Sequence, residues 1–160
     1  MTASLVPLLL VQWLHVIAGL LWVGGLVVSG YLLPRAMVGK PTPAARAVYD
    51  PFSKALRPLM VVTGLTLMLA GILRGTLFGP VRSLSAAFDT PYGLTWLLAL
   101  GLTLTLMVHS GRWRQRLPEL IWNGELKRPE ARARIDRHGF MELAIFAGIL
   151  ACMVLMRFDL

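Results

Sequence analysis

With 56% hydrophobic and 15% charged residues and a mean hydropathy of +0.67, this 160-residue chain has too little polar surface for a soluble domain and too little length for a second one. Its net charge of +8 does not point to nucleic acid, because five of the sixteen basic residues lie between Arg35 and Arg57 and eight between Arg112 and Arg137. Basic connections on one side and apolar stretches between them define a polytopic membrane protein oriented by the positive-inside rule.

The expectation is a single domain, an all-α integral membrane four-helix bundle of the cell (cytoplasmic) membrane, with spans of about 8–33, 55–75, 92–111 and 138–157 and both termini outside. The first span runs inward, is free of charge from Leu5 to Leu33, and holds His15 in its outer half. It lacks a basic leader and a small-residue cleavage site, so it reads as a retained helix. Ala18 and Gly19 lie one turn beyond His15 and Trp22 two turns beyond, on the same face. Asp50-Pro51 reads as N-cap and first position of the second helix, and Thr90-Pro91 as those of the third. In the outer connection, Val81, Leu84 and Phe88 at helical spacing predict a segment lying on the membrane surface. In the third helix Gly101, Thr105 and His109 share a face, with His109 near the cytoplasmic end. Pro129 is placed to start the fourth helix, which carries His138 and Glu142 at its inner end and Cys152, Met153 and Met156 at its outer end.

At about 1.5 Å per residue, His109 and His138 share a level roughly 15 to 25 Å from His15, so one haem iron cannot join the two levels within a subunit. An ionisable side chain at membrane depth normally faces the bundle interior and serves a ligand, ion or proton path. His15 is therefore the first candidate ligand, the alternative being a neutral imidazole hydrogen-bonded to a backbone carbonyl. His109 is the second, against a role as an interfacial histidine that reaches water, and His138 is the third because it matches His109 in depth. Met153 and Met156 either supply a thioether ligand or fill core space. Glu142 pairs with an arginine such as Arg112 or relays a proton. Arg112, Arg114, Arg116, Arg132, Arg134 and Arg137 read as contacts for lipid head groups. The chain has no zinc-protease motif, phosphate-binding glycine loop, nucleophile elbow or paired cysteines, so any chemistry belongs to a bound cofactor. Whether the protein is an enzyme stays open.

Several short motifs resemble the four-helix membrane group that contains the copper-resistance protein D family and the HemJ-type protoporphyrinogen oxidases. They are His15, Trp22 and Gly24-Gly25, then Leu33-Pro34-Arg35, Phe52 to Arg57 leading to Thr63-Gly64 and Gly71, Thr90-Pro91-Tyr92-Gly93, and His109-Ser110-Gly111-Arg112. Together they cover nearly the whole chain. The lysine that HemJ-type proteins carry early in the third helix has no counterpart in Leu94 to Ala99. The resemblance thus implies a haem-associated membrane fold, with His15 the residue carried over, and not protoporphyrinogen oxidation. The stretch from His15 to Pro34 is about one turn longer than in HemJ-type proteins, which predicts an unchanged helical phase.

These readings converge on a membrane protein that binds b-type haem and transfers electrons, with His15, His109, His138, Gly19 and Trp22 as cofactor residues and Gly101 leaving room for the macrocycle. A homodimer through Gly24-Gly25 or Gly64 and Gly71 is the expected assembly, with a redox partner that the sequence does not identify. The alternatives are a copper-handling protein with metal ligands drawn from His15, His109, Cys152, Met153 and Met156, or a scaffold without cofactor.

Overall fold

The computed structural model describes residues 5–125 and 130–158. Among them there are only helices and connections: α1 (Leu5–Met37, with a π-helical turn at Val28–Leu32), α2 (Thr42–Gly75), the short α3 (Leu84–Phe88), α4 (Pro91–Trp122) and α5 (Glu130–Arg157). The chain is an all-α four-helix bundle, and α1, α2, α4 and α5 are each long and apolar enough to cross a membrane. Only 22% to 33% of each apolar window is buried, so most of every span is left for lipid to cover. Pro129 lies outside the described residues.

Capping works as the sequence predicts at α4. Thr90 is the N-cap, its hydroxyl accepts from the Gly93 N–H at 3.0 Å, and Pro91 occupies the first turn. Gly93 is required here, since a Cβ would run into the backbone of Ala86 and Ala87. That close approach seats α3 on α4, with Leu84 and Phe88 79% and 59% exposed, the disposition expected of an interfacial segment, whereas Val81, expected on the same face, is buried at 6%.

The second helix departs from the sequence reading. Asp50 is no N-cap: α2 begins at Thr42, behind Pro41, and Pro51 and Pro58 stand inside it. Proline there removes backbone hydrogen bonds. Burial of Ala45 and Tyr49 against the inner ends of α4 and α5 holds the helix through that interruption. α4 likewise continues past the predicted 111 to Trp122, whereas α5 is helical from Glu130, as expected of a helix that starts at the interface ahead of its span at 138. At 34 residues α2 is about 51 Å long, against roughly 30 Å of hydrocarbon, so the bundle projects well beyond the inner membrane edge.

Two cores result. In the membrane, Ala18, Trp22, Leu26, Met60, Leu67, Leu106 and Ile149 pack together. Below it, Met37, Ala45, Tyr49, Leu117, Ile121, Ala131 and Ile135 form a separate cluster within the basic projecting part. Arg35 pairs with Asp136 there and donates to the Tyr31 hydroxyl at 2.9 Å, tying the end of α1 to the start of α5. α1 packs on α2 and α4 on α5; the two pairs meet through α2 with α4 and through the π-turn with α5. Gly25, Gly64 and Gly71, expected at a dimer interface, are used inside the subunit against Met60, Trp22 and His15, and of that set Gly24 alone faces open space.

Candidate functional site

The outer level is built on Gly71. His15 Nδ1 lies 3.2 Å from the Leu67 carbonyl oxygen, and a Cβ on Gly71 would stand 3.2 Å from His15 Cε1, so the glycine makes room for the imidazole. From the other side, Trp96 Nε1 donates to the Gly71 carbonyl at 3.3 Å. An Nδ1–H bonded to a carbonyl fixes the tautomer and turns Nε2 into the free lone pair, and among the described residues Nε2 has no hydrogen-bond partner. Gly19 faces the Leu67 side chain, and Trp22, 4% exposed, packs its indole on Gly64. Both residues therefore serve the α1–α2 contact.

At the outer end of α5, Cys152 is turned into the core and Met153 is 38% exposed, so the two sulphurs lie on different sides of the helix. Gly101 and Thr105 are exposed, and nothing stands within 4 Å of a Cβ on Gly101; that face of α4 looks outward and encloses no space for a ligand.

The inner level is where polar side chains meet. His109 follows Trp96 by 13 positions on α4, roughly 20 Å along the axis, in agreement with the predicted separation of levels. His109 and His138 do share a depth: their rings stack with centroids 4.7 Å apart and planes 20° apart. Trp113 stacks on the opposite face of His138, at 4.4 Å and 19°. Two imidazoles lying face to face do not aim their nitrogens at a common iron from opposite sides, so this pair is not a bis-histidine haem clamp.

Glu142, one turn beyond His138, is 4% exposed and His138 5%. His138 Nε2 comes to 3.1 Å of Glu142 Oε1, but its N–H direction misses the oxygen, so the contact is electrostatic without being a formed hydrogen bond. Ser110, 1% exposed, donates to that same oxygen. Of the arginines on α4 that could pair with Glu142, Arg112, the example expected from sequence, is exposed, and Arg114 is the one whose charge acts on Glu142. Helical phase explains this, since Ser110 and Arg114 are four apart on one face and Arg112 is on another. Arg114 Nε donates to Ser29 Oγ at 3.0 Å, and Trp113 Nε1 to the Gly30 carbonyl at 3.0 Å.

Both acceptors belong to the π-turn of α1, a feature the sequence reading missed. It interrupts the α-helical repeat between His15 and Pro34. The turn brings Gly30 against the cluster: its Cβ would stand 2.9 Å from Glu142 Oε2 and 3.4 Å from His138 Nε2. π-turns inside helices often mark functional sites. The adjacent small pair Ser29-Gly30, level with the basic end of α1, was the only signal available in sequence.

Fold and site define a polytopic α-helical membrane protein with an isolated histidine in its outer half and a buried histidine–glutamate cluster at its inner edge. Comparison with family models, curated proteins and solved structures returns no match to the chain. Among the described residues no three His, Cys, Asp or Glu side chains converge as a metal-ion site.

Proposed function

We propose that this protein binds a b-type haem in the outer half of the cell membrane with His15 as an axial ligand, and exchanges single electrons with a redox partner. The observation that supports this reading is the state of His15: Nδ1 sits against the Leu67 carbonyl and Nε2 is without a partner. A lone imidazole in hydrocarbon with one free nitrogen is costly unless something takes that nitrogen. Imidazole oriented by a second-sphere carbonyl is the donor arrangement haem iron uses.

When bound, the haem supplies one-electron chemistry. The chain's own part is to hold and shield. Leu67 and Gly71 set the orientation of the ring, and Trp22 on Gly64 stiffens the helix pair that carries it. Met156, half-buried, suits a second ligand better than the outward-facing Met153.

The test is an oxidised and dithionite-reduced absorption spectrum of detergent-purified protein made with ample haem, with a pyridine haemochrome assay. The expected result is a Soret band with sharp reduced α and β bands, lost in His15→Ala and retained in His109→Ala. A featureless visible spectrum from wild type, or equal haem content in His15→Ala, overturns the assignment; metal analysis without a Soret band would then favour copper.

A further inference from the structure

The described residues contain five buried side-chain polar atoms without a hydrogen-bond partner, and four belong to the inner cluster: His109 Nε2, Arg114 Nη2, His138 Nε2 and Glu142 Oε2. Buried polar groups are normally paired, and an incompletely satisfied network is more costly than an apolar one. We infer that the His138–Glu142 pair is a proton-exchange site, taking up and releasing one proton from the inner aqueous side. The site is independent of haem at the outer level.

Three observations carry this. First, the groups are enclosed: His138 and Glu142 are 5% and 4% exposed, yet the contact between them is not an aligned hydrogen bond. A fixed structural ion pair is stabilising only with excellent geometry and its remaining valences filled, and neither condition holds. Second, two of the unpartnered atoms are pressed on one glycine: a Cβ on Gly30 would stand 2.9 Å from Glu142 Oε2 and 3.4 Å from His138 Nε2, so the π-turn closes over the pair without supplying the missing hydrogen bonds. Third, the buried His138 ring is stacked with two half-buried rings, Trp113 at 4.4 Å and His109 at 4.7 Å, so one ring separates it from the surface of the bundle.

The charged and titratable groups facing the pair come from three helices. From α4 there are His109 and Arg114, with Ser110 bonded to Glu142; from α1 there is Ser29, which holds Arg114; from α2, Tyr49 acts on Arg114. On uptake, an O–H bond of a hydronium ion breaks and an N–H or O–H bond forms within the pair, which passes from one shared proton to two. Release reverses this, and no electrons move.

The experiment is infrared difference spectroscopy on the full chain in liposomes, stepped between about pH 5 and 9, with parallel proton counting by a pH dye. The expected result is a pH-dependent carbonyl band of a buried protonated carboxyl, with uptake of about one proton per chain. Glu142→Gln abolishes the band, Glu142→Asp retains it at a shifted frequency, and Gly30→Ala shifts it with helix content unchanged. The Asp and Gly30 variants assign the band even if Glu142→Gln does not fold. No carboxyl band across the range, a band untouched by all three substitutions, or a response seen only with chloride present overturns the proposal, the last in favour of an anion site.

Discussion

His15 and His138 belong to one bundle but are held in opposite ways. His15 rests on a single carbonyl across a glycine, with its other nitrogen free. His138 is clamped between Trp113 and His109, beside a carboxylate whose hydroxyl donor comes from a neighbouring helix. The difference follows from the surroundings: around His15 the bundle packs helix on helix with small residues, whereas at the inner edge the π-turn brings a third helix onto α4 and α5. One histidine is left available to an external ligand. The other is coupled to groups of its own chain.

The largest expected effect tests whether the inner core stabilises the inner site. Leu117 is fully buried among Met37, Tyr49 and Ile135, and Leu117→Ala is expected to destabilise by about 2–5 kcal/mol, against under about 1 kcal/mol for the outward-facing Leu104→Ala. Chemical denaturation in detergent, followed by circular dichroism, reads both; equal losses would mean that the projecting core is not a stability determinant. Next comes a contrast within α1. Gly30→Ala places a methyl 2.9 Å from Glu142 Oε2 and is expected to cost about 1–3 kcal/mol, whereas Gly24→Ala meets nothing within 4 Å and should stay within about 0.5 kcal/mol of wild type. A neutral Gly30→Ala would break the claim that the turn fits the cluster. The smallest effect concerns the rim: Arg35→Ala, removing a pair to Asp136 that is about one-third exposed, should cost about 1 kcal/mol or less and lose that effect at high salt.

How much of this was legible in the sequence depends on what each residue answers to. The four spans follow from apolar runs that only hydrocarbon can solvate, and the Thr90-Pro91 start follows from local hydrogen bonding. The shared depth of His109 and His138 follows from the constant rise of a helix. The projections of α2 and α4 were missed because their sequences are polar on most faces: Ala45, Tyr49, Leu117 and Ile121 mark a stripe that acquires meaning only once these helices meet Ile135 of α5. Asp50-Pro51 added a local start signal that packing overrode. The Trp113–His138–His109 stack and the bonds to Ser29 and Gly30 depend on tertiary register, which no single helix encodes.

The π-turn at Val28–Leu32 also divides α1 into two pieces with different angular settings. One residue is accommodated beyond the α-helical repeat, and each residue of an α-helix turns the chain by about 100°. Deleting a single residue from this segment would therefore restore an ordinary helical turn, with the upper half of α1 still seated on α2 and Tyr31 and Arg35 still facing Gly139 and Asp136. The length and azimuth of the helix would hardly change. The bulge that sets Ser29 and Gly30 against the inner cluster would be lost.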